Sequence, residues 1–352
     1  MPAVPNNSLI LLTGASGFLA AHVGQQLLQR GYRVRGTVRS SEKGEYLKDL
    51  YKKDGLTEFE YVIVEDVEQE GAFDKAVVGV DGIAHTASPF HFRVEDPYTD
   101  LINPAVKGTT GILHSALLEP KVQRVVITSS FASVVNPYDP VYTFTEKDWN
   151  EFSPKQVEEK GKEVDPSQAY RASKTLAEKA AWKFLEEHTK DGKAPFDLAT
   201  VNPPLIFGPV IHQISSASSL NTSVAAFYAY LTGNKKDEDA VNPAGSYVDV
   251  RDVARIHIDA LATPEASNER FLVSTSAFSF QQLLDVLSKP EYSDLLKSSF
   301  PKFVGGKPGT PAPKQNVIDA SKAKKTFGWA PIPLEKIVDD MTKSLAERQK
   351  EW

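Results

Sequence analysis

The chain has no cysteine in 352 residues. That absence excludes a disulfide framework, a thiol nucleophile, an iron–sulfur cluster and a thiolate zinc site, and with them a zinc-dependent alcohol dehydrogenase with cysteine ligands. Histidine is sparse: the seven copies show no His-x-x-x-His or His-Glu-x-x-His spacing, so no metal is expected. Long apolar runs are missing too, and nothing approaches the roughly 18 residues that span a bilayer. The N-terminal MPAVPNNSLILLTG lacks a basic region and a cleavage site, so it does not read as a signal peptide, and a cytoplasmic setting is the default. There is no excess of positive charge. Forty Lys+Arg against 46 Asp+Glu leave a net charge of −6, and nothing global favours a nucleic-acid partner.

What is present is an ordinary composition, 41% hydrophobic and 24% charged, on a chain long enough for a large core. Short β-rich apolar runs occur at 8–13, 32–38, 59–64, 81–86, 122–128 and 196–202, with helical spacing between them at 18–30, 43–53, 99–119 and 168–189. That alternation predicts an α/β fold, a Rossmann-type doubly wound parallel sheet covered on both faces. The rhythm breaks after about residue 203. Residues 1–203 are therefore expected to form the cofactor-binding domain, with 247–265 packing back on it. Residues 204–246 and 266–352 are expected to form a smaller α+β substrate lobe at the sheet's carboxyl edge.

Residues Thr13-Gly14-Ala15-Ser16-Gly17-Phe18-Leu19-Ala20 follow an apolar strand and open an amphipathic helix. Gly14 suits the sharp turn, Gly17 the close approach of a pyrophosphate to a helix N-terminus, and Ala20 the helix–strand contact. The second strand runs into Arg39 and Lys43 where an acidic residue would select NAD, so NADP is the expected cofactor. Glu42 beside them points the other way. Asp66, after the third strand, could accept from an adenine amino group. His85-Thr86-Ala87-Ser88 leaves the fourth strand beside the expected cofactor, and His85 is given no chemical role.

Tyr170 and Lys174 lie four apart in a helical stretch, hence on one face. A neighbouring ammonium would lower the phenol's pKa from its usual value near 10. This is the only Tyr-x-x-x-Lys in the chain. The fifth strand ends Thr128-Ser129-Ser130, and a hydroxyl there could hold a substrate carbonyl oxygen as charge develops on it.

Together these segments resemble the extended short-chain dehydrogenases/reductases, in particular the dihydroflavonol-reductase-like branch with its fungal NADPH-dependent carbonyl and methylglyoxal reductases. The resemblance rests on TGASGFLA (13–20), TVRSSEK (37–43), VEDV (64–67), AHTASPF (84–90), NPAVKGTTGILHSA (103–116), RVVITSSFASV (124–134), AYRASKTLAEKAAWKF (169–184), VNPPLIFGP (201–209) and YVDVRDVARIH (247–257). It implies Ser130 as the catalytic hydroxyl, Tyr170 as proton donor and Lys174 as the residue that binds the nicotinamide ribose and tunes the tyrosine. It also implies Arg39 and Lys43 as 2′-phosphate ligands and Pro203 beside the carboxamide. The expected NADP(H) site thus comprises Gly14, Ser16, Gly17, Phe18, Leu19, Arg39, Lys43, Asp66, Val67, Thr86, Ala87, Ser88, Tyr170, Lys174 and Pro203. Phe90, Phe131, Leu205 and Phe207, by their place next to the motifs, are expected either to wall the substrate site or to belong to the core. The chain departs from the pattern at Ala20, where the wider superfamily often has glycine, and at Ala105, where many extended members have asparagine. The implied activity is NADPH-dependent reduction of aldehydes and ketones, with keto esters and dicarbonyls included, on small-molecule substrates; a homodimer is usual among such relatives, and monomers occur. Three alternatives share the fold: oxidation of a hydroxysteroid-type alcohol, nucleotide-sugar dehydrogenation or epimerisation, and a non-catalytic NADP sensor. No basic cluster in 204–246 serves a sugar diphosphate, and a sensor has no need of Ser130, Tyr170 and Lys174 together.

Overall fold

Strand β1 (Leu9–Thr13) is buried at all five positions, as a strand covered on both faces must be. It belongs to a computed structural model that describes residues 3–88, 94–138, 141–190 and 194–352. The other strands are β2 (Arg33–Val38), β3 (Phe59–Ile63), β4 (Gly82–His85), β5 (Arg124–Thr128), β6 (Thr143–Phe144), β7 (Asp197–Asn202), β8 (Leu205–Phe207), β9 (Ser246–Asp249), β10 (Glu269–Leu272), β11 (Ser276–Ala277) and β12 (Val317–Ile318). The main sheet runs β3-β2-β1-β4-β5-β7-β10, all parallel. This is the doubly wound arrangement expected from the alternating pattern.

The helices are α1 (Phe18–Gln29), α2 (Ser41–Lys53), α3 (Asn103–Leu117), α4 (Phe152–Lys160), α5 (Pro166–Lys190), α6 (Thr222–Leu231), α7 (Val250–Ala262), α8 (Phe280–Leu287), α9 (Ser293–Ser299), α10 (Ser321–Phe327) and α11 (Leu334–Arg348). Alternate strand residues feed opposite cores. Leu9, Leu11, Val125, Ile127 and Leu198 join Ile112 and Leu113 of α3 and Phe184 of α5. Ile10, Leu12, Val126 and Val201 join Val23 and Leu27 of α1 and Val253 and Ile256 of α7. Asp249 caps α7 by accepting from the Arg251 amide, and Ser279 and Gln282 close a capping box on α8.

Apart from the main sheet, the described residues form a second sheet, β8-β9-β11, and the β6–β12 pair. One boundary differs from expectation. Residues 269–272, assigned to the substrate lobe, pair in parallel with β7 and complete the main sheet. Their apolar run carries no mark of which sheet it joins, and that choice is made by long-range pairing. Similarly, 247–249 pair with β8 in the small sheet, while α7 alone packs back on α1 and the main sheet. Among the described residues no helix is long and apolar enough to cross a membrane.

Candidate active site

The strand order reverses around β1, between β2 and β4, and the loops leaving β1 and β4 meet there. Gly14 has φ +64°, and a Cβ on it would lie 3.0 Å from the Ala87 Cα, so both conformation and space demand glycine. Its amide donates to Thr37 Oγ1 at 3.0 Å, and the Ala15 amide to the Thr37 carbonyl at 2.9 Å. Thr13 Oγ1 accepts from the Thr86 and Ala87 amides, each at 3.1 Å, and lies 2.9 Å from His85 Nδ1. These bonds lock the two loops into a fixed floor. His85 is buried and its pKa falls to about 3, because burial, and then the Lys174 charge, oppose its protonation. It is a neutral brace for Thr13.

Gly17 is exposed and stands immediately before α1, so a pyrophosphate can approach the helix start. Ser16 beside it is half-buried. Arg39 and Lys43 are exposed at the end of β2 and the first turn of α2, and neither forms an ion pair among the described residues. Glu42 is turned to Gln213, whose Nε2 donates to it at 2.8 Å. Asp66 is exposed with Oδ1 taken by the Glu68 amide, and Val67 is half-buried over Gly108 of α3. A tight glycine cradle, a helix start and two unpaired cations fit a phosphorylated dinucleotide.

Next to this floor lies a cavity of about 530 Å³. Phe18, Leu19 and Thr86 line it from the glycine-loop side, Ser130, Phe131 and Pro203 from beyond the ends of β5 and β7, Tyr170 and Lys174 from α5, and Leu205 from the second sheet. It does not reach Gly14, Gly17, Arg39, Lys43, Asp66 or Val67, which lie along the expected path of the adenosine half. Ala87 and Ser88 sit behind it with His85. Phe207 is fully buried against Phe278 and Phe280, so of the two roles open to it the structure gives it the core one. Phe90 lies outside the described residues.

Three hydroxyls at the end of β5 have different fates. Thr128 Oγ1 pairs with His257 Nε2 at 2.7 Å, and Ser129 donates to Glu178 at 2.5 Å, so neither is offered to a ligand. Ser130 hydrogen-bonds the Tyr170 hydroxyl, while its Oγ also accepts from the Ala132 amide at 3.1 Å and caps the turn at Phe131–Ser133. The expected lowering of the Tyr170 pKa does not occur. Desolvation pushes the phenol up to about 12, against the pull of the Ser130 bond. The reason is where the ammonium goes: Lys174 Nζ donates to Ser88 Oγ at 2.8 Å. Lys174 is itself lowered to about 8 by desolvation, partly offset by Glu178.

Glu178 was not singled out from the sequence. It lies one turn beyond Lys174 and is buried. It accepts from Ser129, from Ser133 (2.6 Å), from Asn202 Nδ2 (2.7 Å) and from Arg270 Nε (2.7 Å); burial opposes its charge, but Arg270 and then the Ser129 and Ser133 hydroxyls hold its pKa low. Asn202 of the Asn-Pro-Pro run therefore faces inward, while Pro203 and Pro204 line the cavity. The continued four-residue spacing Tyr170, Lys174, Glu178 was the available signal. Arg171 and Asn221 also line the cavity and were likewise missed. Asn221 Nδ2 donates to Ser223, whose own proton goes to the Ile206 carbonyl, and Asn221 Oδ1 is a buried acceptor without a partner among the described residues.

A profile of the NAD dependent epimerase/dehydratase family matches residues 10–274. An uncharacterised oxidoreductase of Schizosaccharomyces pombe is 45% identical over 83% of this chain and 85% of its own length. A ketoreductase of Aspergillus niger is 36% identical over 96% of this chain and 98% of its own. The crystal structure of yeast methylglyoxal/isovaleraldehyde reductase complexed with NADPH superposes with a TM-score of 0.85 at 34% identity, covering 98% of this chain and all of that one. The glycine cradle, the parallel sheet and these likenesses agree: the chain belongs to the NAD dependent epimerase/dehydratase family, the extended short-chain dehydrogenases/reductases.

Proposed function

We propose that the chain is an NADPH-dependent carbonyl reductase that converts aldehydes and ketones to alcohols, with Ser130, Tyr170 and Lys174 as its catalytic residues. The observation that carries this reading is their convergence on one cavity beside the glycine-loop floor. The similarity to a ketoreductase and to an NADPH-bound methylglyoxal reductase supports it. NADPH, when bound, would supply the hydride that reduces the carbonyl carbon. Gly14 and Gly17 would let its pyrophosphate approach α1, and Arg39 and Lys43 would hold the 2′-phosphate.

In this reading Ser130 donates a hydrogen bond to the carbonyl oxygen, stabilising charge as it develops there. Tyr170 then delivers a proton to that oxygen, forming the alcohol O–H and leaving a phenolate that regains its proton from solvent. A phenol at about 12 is fully protonated at neutral pH, and a developing alkoxide is basic enough to take its proton. Lys174, one turn on, would hold the nicotinamide ribose and offset the phenolate's charge. A homodimer is part of the reading and is checked by sedimentation.

Replacing Tyr170 by Phe tests it. The variant should bind NADPH in a fluorescence titration yet lose about a thousandfold in NADPH consumption with methylglyoxal or a β-keto ester. Turnover close to that of the parent protein would overturn the assignment.

A further inference from the structure

The cavity is charged in one sense only. Among its described lining residues are two cations, Arg171 and Lys174, and no carboxylate. Lys174 is occupied with Ser88. Arg171 is half-buried and has neither a salt bridge nor a side-chain hydrogen bond among the described residues. Asp165 attracts it through space, but that carboxylate is exposed and its Oδ1 is taken by the Ser167 amide at 2.8 Å and hydroxyl at 2.5 Å.

Arg171 is held toward the cavity by helix geometry. Ser167, Tyr170, Arg171 and Lys174 are spaced by three, one and three residues, which keeps them within about 100° of arc on α5. All four line the cavity. The residue that follows the proposed proton donor thus points into the same space as the donor. Desolvation lowers the Arg171 pKa, so the guanidinium stands there at a cost. A neutral ligand would deepen that cost by removing water from it, whereas a carboxylate would replace the water with two parallel charge-assisted hydrogen bonds.

Resting on the carbonyl-reductase reading, we propose that Arg171 is a specificity-determining residue and that the preferred substrates are oxo acids, compounds with a carboxylate as well as the reducible carbonyl. The carboxylate sits on Arg171 and the carbonyl oxygen lies between Ser130 and Tyr170. Hydride transfer and protonation are those of the proposed reaction, and the carboxylate is unchanged by it.

The test compares 2-oxopentanoate and 4-oxopentanoate with their methyl esters, followed by NADPH absorbance. The better acid should exceed its ester in kcat/KM by about tenfold, and added salt should erode that advantage by raising KM for the acid. In Arg171→Met the acid-to-ester ratio should fall about thirty-fold, mainly through KM, with Arg171→Lys intermediate. NADPH titration confirms that each variant is folded, and the salt series on the parent protein needs no variant. Esters preferred over both acids, or an acid-to-ester ratio that Arg171→Met leaves unchanged, would overturn the proposal while leaving the carbonyl-reductase reading standing. A parent protein that reduces neither acids, esters nor methylglyoxal would bring down both.

Discussion

Adjacent residues of the same type do unrelated work here because each has a different partner. Ser129 is spent on Glu178, and Ser130, one residue on, turns to Tyr170. The same holds for Tyr170 and Lys174, whose environments move both toward states useful in reduction: a phenol that keeps its proton and an ammonium poised near neutrality. Because desolvation lowers Lys174 to about 8, kcat/KM should be level below pH 8 and fall above it as the ammonium is lost. Tyr170, up at about 12, adds nothing in that range. A pH–rate profile measures this, and a rate that climbs through pH 8 would contradict it. Arg39 is exposed and has no ion pair among the described residues, so its charge can face a phosphate. Arg39→Asp should raise KM for NADPH by about thirty-fold and shift NADH far less. An unchanged ratio of the two in steady-state kinetics would remove Arg39 from the coenzyme site.

At the scale of elements, one buried ion pair joins three of them. Arg124 opens β5 and Asp197 opens β7, and they meet in two parallel bonds of 2.6 and 2.9 Å at zero and 2% exposure. Arg124 Nη1 also donates to the Ala260 carbonyl at 2.7 Å and the Thr263 carbonyl at 2.5 Å, fastening the end of α7 to the sheet. Breaking a buried pair from one side leaves an uncompensated charge. Arg124→Met should therefore cost about 3–5 kcal/mol in urea denaturation, and adding Asp197→Leu should restore much of it. A loss below about 1 kcal/mol in the single variant would show that water reaches the pair. The Glu178–Arg270 pair plays a similar part behind the cavity, with the Arg270 guanidinium stacked 3.7 Å from the centre of the Trp149 ring.

The whole molecule carries a built-in sensitivity to acid. His22, His85, His212 and His257 are all buried, and burial lowers their pKa values from 6.5 to about 4, 3, 3 and 4. Unfolded, these side chains would take up protons near pH 6.5, while folded they do not until pH 3–4. Below pH 6.5 the unfolded state binds more protons, so stability is full above that pH and is lost as pH falls toward 4. Near pH 5 unfolding should take up roughly three to four protons from this set, which the pH dependence of the urea midpoint reports. A midpoint that is flat between pH 6.5 and 4.5 would mean that these rings are hydrated.

Much of this protein is readable from local spacing alone. Strand and helix periods set the α/β alternation, because an apolar residue every second or every third to fourth position selects which backbone can bury it. Gly14 and the Tyr170–Lys174 spacing are equally local, since a turn or a helix face involves neighbours in the chain. What only the folded structure decided depends on partners far apart in sequence. It chose the sheet that residues 269–272 join. It decided that the hydroxyls of Thr128 and Ser129 go to His257 and Glu178 and that of Ser130 to Tyr170, and that Phe207 belongs to the core. It raised the pKa of Tyr170 where an adjacent lysine argued for a fall. It also set Arg171 in the cavity wall without an ion pair among the described residues and enclosed Glu178. Desolvation and hydrogen-bond satisfaction are properties of the space around a side chain, and that space is assembled from strands and helices up to a hundred or more residues away.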